Sequence, residues 1–158
     1  MTSSSGFIGN FPLTVDEKLR VNIPAKFRDI LIREYGDEGL EVVITISLDK
    51  SIAVFPIRNY KNFLQELDAE LASASNVVRR QFKKVFTGCA IMDTLDKQNR
   101  IRLNTFLTKY AELDREVYVI GFNDYMEIWD RKKWDEFIAH QVPKLADTLE
   151  QSSKSSTI

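Results

Sequence analysis

Residues 14–23 read TVDEKLRVNI and residues 94–103 read TLDKQNRIRL, so Asp16 and Arg20 return as Asp96 and Arg100, 80 positions later (96 − 16). A second match lies further along: IAVFPIRNYKNFL from Ile52 aligns with MEIWDRKKWDEFI from Met126. There Phe55 pairs with Trp129, Tyr60 with Trp134 and Phe63 with Phe137, an offset of 74 (129 − 55). A repeat at fixed spacing constrains a fold more than any local propensity, because each copy must adopt the same supersecondary unit. The change of offset places about six extra residues in the first copy, around Tyr35-Gly36-Asp37-Glu38-Gly39. Each half then has one order: phrase, short helix, strand pair, longer helix.

Within the phrase, Leu13 and Val15 alternate with polar residues before the Asp, and Val21 and Ile23 alternate with Arg20 and Asn22 after it. Period two on both sides of Asp-Glu-Lys predicts a hairpin. Asp16 and Asp96 are expected to form its turn, since a carboxylate accepts from turn amides two residues on. With Val21, Ile23, Ile101 and Leu103 facing inward, Arg20, Arg100 and Arg102 must emerge on the outer face, with Lys18 and Lys97 beside them at the tip.

Pro24 suits a first helical turn, Phe27, Ile30, Leu31 and Tyr35 recur on one side, and Gly36 is a natural stop. Val42–Ile46 and Val117–Ile120 read as strands, with turns at 47–50 and 123–124. Tyr60, Phe63, Leu64, Leu67 and Leu71 share a helix face, as do Val78, Phe82, Val85 and Phe86 before Gly88. Trp134, Phe137 and Ile138 mark a last helix that Pro143 is expected to kink or end. The predicted core comprises Val15, Val21, Ile23, Phe27, Leu31, Phe55, Phe63, Leu95, Ile101, Leu103, Trp129 and Phe137.

At 158 residues the chain can bury roughly 68–70% of its unfolded surface, enough for a core without staples. One cysteine excludes an internal disulfide, and one histidine (His140) far from Cys89 nominates neither a dyad nor a zinc site. Glycines at 6, 9, 36, 39, 88 and 121 build no phosphate loop or dinucleotide fingerprint. No enzyme, cofactor or small-molecule substrate is expected. The start, MTSSSGF, lacks a basic segment followed by an apolar one, and no apolar run could span a bilayer, so a cytoplasmic protein is expected.

Net charge is −1, yet residues 79–109 hold eight Lys or Arg against Asp93 and Asp96. Residues 16–33 hold five against three. Local basic patches can attract nucleic acid on a slightly acidic protein. Arg79, Arg80, Lys83 and Lys84 read as the wet face of a helix, and the aromatic residues at helical spacing read as core.

FIGNFPLTVDEKLRVNIPAKFR from Phe7, LDKQNR from Leu95 and VIGFNDYMEIWD from Val119 together resemble MraZ, a family of bacterial transcriptional regulators with two AbrB-like units. The resemblance runs from about Phe7 to Trp134. It implies an α+β fold of two tandem AbrB-like, swapped-hairpin β-barrel units related by pseudo-twofold symmetry, with helices after each. The corresponding boundaries are unit 1 at 7–57, a helical linker at 58–87, unit 2 at 88–130, a C-terminal helix at 131–150 and a disordered tail at 151–158. It further implies ring-shaped homo-oligomers, association with the nucleoid, and binding of double-stranded DNA at repeated promoter elements of cell-division and cell-wall genes. Arg20 and Arg100 match the family's DNA-contacting arginine, and Lys18, Lys97 and Arg102 accompany them. An AbrB-like interaction module or antitoxin-type scaffold without its own DNA target is the alternative. The family phrase reads Asp-x-x-Gly-Arg, whereas this chain has Leu19 and Asn99 at the glycine. Asn99 is expected at positive φ. Leu19 is expected either at negative φ in a rearranged turn or strained, so the two turns should differ.

Overall fold

Neither repeat keeps its strands to itself. The structure, a computed structural model, describes residues 6–155. The first repeat contributes β1 (Asn10–Thr14), β2 (Arg20–Asn22), α1 (Ala25–Tyr35), β3 (Glu41–Ser47) and β4 (Ser51–Pro56). Two helices follow, α2 (Ile57–Glu70) and α3 (Asn76–Gly88). The second repeat supplies β5 (Ile91–Thr94), β6 (Arg100–Arg102), α4 (Thr105–Tyr110), β7 (Glu116–Gly121) and β8 (Met126–Asp130), and α5 (Arg131–Ser155) closes the described chain.

Six strands form one antiparallel sheet in the order β1-β7-β8-β4-β3-β5, and β2 pairs with β6 in a separate two-stranded ribbon. Exchanging each strand for its counterpart in the other repeat reverses the order and leaves it unchanged. Residues that pair with their own counterparts therefore mark the axis of this pseudo-symmetry. They are Val21 with Ile101 in the ribbon and Ala53 with Glu127 between β4 and β8. Those pairs are separated by the two offsets of the sequence repeat, 80 and 74 (101 − 21 and 127 − 53).

The expected hairpin is corrected by this exchange. The phrase does turn back on itself at its tip, but β1 ladders with β7 and β2 with β6, so its two arms take partners from the other repeat. Period-two patterning gives the face each residue occupies. It does not say which strand lies alongside.

Alternation along the sheet separates two cores. Val42, Ile44, Ile46, Ile52, Val54, Val117, Val119, Met126 and Ile128 pack with Val21, Ile23, Ile101 and Leu103 of the ribbon and with Phe27 and Leu31 of α1. On the other face Val43, Ala53 and Phe55 meet Tyr60 and Phe63 of α2. Phe63 bridges the layers, its ring centroid 4.9 Å from Phe55 and 5.3 Å from Phe86. Of the predicted core, Val15, Phe63 and Phe137 are only half-buried, because they lie at the margins or on helices laid over the sheet. Buried Glu127 accepts hydrogen bonds from Ser51 Oγ at 3.0 Å and Trp129 Nε1 at 2.8 Å. Burial pushes its carboxyl above the usual range, against the pull of those donors.

The helices differ between repeats for local reasons. Gly36, at φ 64°, donates to the Ile32 carbonyl and ends α1, and a 3-10 turn at Gly36–Leu40 takes up the extra residues of the first copy. The shorter α4 starts differently: Asn104, standing where the first repeat has Pro24, accepts from the Leu107 N–H at 2.8 Å. At the far end, α5 runs through Pro143 rather than ending there. Pro143 lies on an exposed stretch, where the carbonyl it leaves without a donor can meet water. Residues 151–155, expected within a disordered tail, are helical, and Ser155 Oγ donates back to the Gln151 and Ser152 carbonyls. Residues 156–158 of that expected tail lie outside the described residues. Arg131 ties α5 to the sheet by donating to the carbonyls of Val117 (3.1 Å) and Leu13 (2.9 Å).

Because Val21 and Ile101 are each 1% exposed and meet on the axis, they should be energetically coupled. Ile101→Ala is expected to cost about 2–5 kcal/mol. A double-mutant cycle with Val21→Ala should show an interaction of about 0.5 kcal/mol or more by denaturant unfolding. Strict additivity would contradict the pairing.

Candidate nucleic-acid interface

The two phrases fold into matching turns. The Asp16 N–H donates to the Arg20 carbonyl (3.0 Å) and the Leu19 N–H to the Asp16 carbonyl (3.0 Å), while Asp96 and Asn99 make the same bonds at 3.1 and 2.9 Å. Each carboxylate then gathers its own turn. Asp16 Oδ1 accepts from the N–H groups of Lys18 (2.9 Å) and Arg20 (2.8 Å), and Asp96 Oδ1 from those of Gln98 (2.8 Å) and Arg100 (2.9 Å). The second oxygen of each reaches the arginine side chain, Arg20 Nε at 2.7 Å and Arg100 Nε at 2.8 Å. Both carboxyls are held below the usual value, first by the arginine backbone N–H and also by the guanidinium.

Asn99 lies at φ 62°, as expected, and Leu19 at φ 60°: of its two alternatives Leu19 takes the strained, left-handed one, and the turns share one shape rather than differing. A left-handed backbone costs a branched residue about 1–2 kcal/mol. The Leu19 side chain packs against the core, which offsets that strain. The turn keeps its geometry with its least suited residue partly buried against the core.

The ribbon assembles what each turn presents. Val21 and Ile101 face inward, so alternation sends Arg20, Asn22, Arg100 and Arg102 to the outer face. Register places Arg20 directly opposite Arg102 and Asn22 opposite Arg100. Like charges directly opposed on antiparallel strands are destabilising. Here the Nε edge of Arg20 is engaged by Asp16, and Asp93 Oδ2 holds the Arg102 backbone N–H at 2.7 Å. With Nε occupied, the two Nη groups of Arg20 and Arg100 remain for an external partner, in a fork already oriented by its carboxylate. Lys18 and Lys97 are exposed on the two turns, at unlike positions within them.

All five basic residues singled out from the sequence thus belong to one surface feature, the ribbon and its two turns. Two further residues belong to it. Asn22 shares the outer face and donates Nδ2 to the Gln98 carbonyl at 2.8 Å, and Asp93 braces β6. Asn22 could have been found from its alternation with Arg20, but Asp93 had no signal, because its bond to Arg102 needs the register of β5 and β6. The basic surface is modest: residues 16–22 hold two acids and two bases, residues 93–102 two acids and three bases.

Among the described residues no cluster of three His, Cys, Asp or Glu side chains could hold a metal ion. Likewise, no helix there is long and apolar enough to cross a membrane.

Strand exchange between two repeats, with paired Asp-Arg turns on a shared ribbon, defines a two-unit α+β protein whose outer ribbon face is built jointly by both copies. Comparison with known proteins agrees with the doubling. A family model described as "MraZ protein, putative antitoxin-like" matches residues 7–84 and 87–152. Among curated relatives, the Transcriptional regulator MraZ of Clavibacter michiganensis subsp. michiganensis is 39% identical over 146 residues, covering 92% of this chain and 95% of the relative. Those of Moorella thermoacetica and Thermobifida fusca are 36% and 35% identical, covering 83% and 92% of this chain and 85% and 95% of the relatives. The chain belongs to the MraZ family.

The left-handed turns carry a reversal of the ordinary glycine–alanine order. Outside such sites alanine is the more stabilising by about 0.4–1 kcal/mol. At positions 19 and 99 the glycine variant should exceed the alanine variant by about 1 kcal/mol in chemical denaturation. Alanine variants equal to or better than glycine would contradict the backbone described.

Proposed function

We propose that this chain is a sequence-specific DNA-binding transcriptional regulator that contacts double-stranded DNA through the outer face of the β2–β6 ribbon. The observation that carries this reading is the direct opposition of Arg20 and Arg102 beside Arg100 and Asn22. A fold gains nothing from apposed cations, whereas a phosphate or guanine edge between them relieves their repulsion. A two-stranded ribbon fits the major groove. Arg forks suit guanine or phosphate, and an Asn amide suits adenine. Because the ribbon's own charge surplus is small, useful affinity needs several ribbons in one assembly bound to repeated elements. A ring-shaped homo-oligomer acting on promoter repeats of cell-division and cell-wall genes is the form this takes in our reading. The relatives' name, Transcriptional regulator MraZ, supports the regulatory role. Strand exchange between repeats supports a swapped-hairpin barrel, unit boundaries near 7–57 and 88–130, and a helical linker between them. A cytoplasmic, nucleoid-associated location follows from the role.

A second reading, an interaction module without its own DNA target, draws on the antitoxin-like description of the family and on the aspartates that already engage Arg20 and Arg100.

Gel shifts with DNA from upstream of the protein's own gene, across a salt series, separate the two. Arg20→Ala and Arg100→Ala should each lower the salt slope by about 0.9 for every phosphate no longer neutralised, or remove about 1–3 kcal/mol of discrimination at one base position. Arg102→Gln removes the like-charge pair and should raise the melting temperature slightly while weakening DNA binding. A folded Arg20→Ala, Arg100→Ala protein that binds as well as wild type would contradict the assignment.

A further inference from the structure

The repeat breaks at one place inside the sheet. Ala53 lies directly opposite Glu127, its own counterpart at offset 74 (127 − 53), and Ser51 corresponds in the same way to Tyr125 (125 − 51). Ile52, Val54, Met126 and Ile128 pack toward the ribbon, so alternation turns Ser51, Ala53, Tyr125 and Glu127 to the other face. There the small residues of β4 leave room. A cavity of about 200 Å3 stands over Ala53 and Glu127, walled by Phe55, Phe63 of α2, Phe86 of α3 and Tyr125. The walls are continuous: ring centroids lie 4.3 Å apart from Tyr125 to Phe55, 4.9 Å from Phe55 to Phe63 and 5.3 Å from Phe63 to Phe86. Leu48 and Phe122, which also correspond at offset 74 (122 − 48), rim the opening beside exposed Asp49.

Glu127 is only 6% exposed. Its two close hydrogen bonds, from Ser51 and Trp129, both reach Oε1. Among the described residues Oε2 meets only the Tyr125 hydroxyl, at 3.4 Å, longer than a good O–H···O bond. Burying a carboxylate is costly unless it is fully paired. The first repeat fills the equivalent place with the methyl group of Ala53, so the sheet itself does not require an acid there. No Lys, Arg or His lines the cavity among the described residues.

We propose that this cavity binds a small organic cation, a primary ammonium on a short arm from one flat apolar ring, with the ammonium paired to Glu127 and the ring held among Phe55, Phe63 and Tyr125. Each part of that ligand answers a feature of the site. A dry cavity of about 150 Å3 holds benzene, so about 200 Å3 admits one ring and a two-carbon arm. Aromatic walls attract a cation through their ring faces, and Glu127 Oε2 still has room for a donor. An anion would face Glu127 and Asp49 with no basic side chain to meet it. Burial holds the Glu127 carboxyl above its usual range, and a cation set against it takes the place of the proton. Because Ala53 and Glu127 face away from the ribbon, the site works independently of the DNA contact.

Calorimetric titration of the full chain without DNA compares 2-phenylethylamine with 2-phenylethanol, which keeps the ring and arm but lacks the charge. At about pH 8, where the amine is protonated, the protein should bind the amine with a Kd of about 1 mM or tighter, ordinary for so small a ligand. The alcohol should bind roughly 10-fold more weakly or not at all. Glu127→Gln keeps the size of the side chain and its capacity to accept from Ser51 and Trp129, so the melting temperature should show a folded protein. That variant should lose roughly 10-fold in amine affinity. Ala53→Leu fills the floor of the cavity and should abolish binding of both compounds. Equal binding of amine and alcohol would mean an apolar cavity and nothing more, and would overturn the proposal. So would amine affinity unmoved in folded Glu127→Gln protein, binding that survives Ala53→Leu, or no amine binding at about 10 mM. The comparison of amine with alcohol uses the wild-type chain alone, so it decides the matter even where a substitution unfolds the sheet.

Discussion

The pairing of β2 with β6 is the interaction on which the rest depends. Each phrase leaves its repeat, crosses to its counterpart and returns, so Val21 and Ile101 meet on the axis and close the core from above. The same crossing sends β1 to β7 and β5 to β3, which completes the six-stranded sheet. Neither repeat could satisfy its backbone alone, since β1 and β3 would each lose a partner strand. Folding is thereby made a property of the duplicated chain. So is the arginine face, which exists only because two phrases lie side by side.

Within each phrase one carboxylate accepts three hydrogen bonds. Asp16 and Asp96 close their turns by accepting two backbone N–H groups, and with the other oxygen they hold the guanidinium that follows. Position of the arginine is thus fixed by the same residue that fixes the backbone. Ordering a long side chain before it meets a ligand reduces the entropy lost on binding. Leu19 shows that the turn geometry outranks the residue: the chain accepts a left-handed leucine and packs its half-buried side chain against the core.

Much of this is legible in the sequence, and the remainder is hidden for definable reasons. The repeat offsets, the inward residues of the ribbon, the outward arginines and the extra turn near Gly36 follow from counting and alternation. Strand partners do not, because period two is silent about which neighbour a strand takes. The bracing by Asp93 needs that register. Propensity alone leaves Leu19 open between a rearranged and a strained turn, since it omits the packing that offsets the strain. The helical course of 151–155 is hidden by polar composition, and it continues from a helix whose earlier turns already fix the backbone.

Photo-cross-linking asks whether the shared ribbon is the DNA face. A photoreactive residue placed at Asn22, on the outer face, is compared with one at Lys84, on the exposed side of α3, each bound to DNA from upstream of the gene. Strong cross-links are expected from position 22, abolished in the Arg20→Ala, Arg100→Ala background, and little from position 84. Cross-links from position 84 with none from position 22 would contradict that assignment.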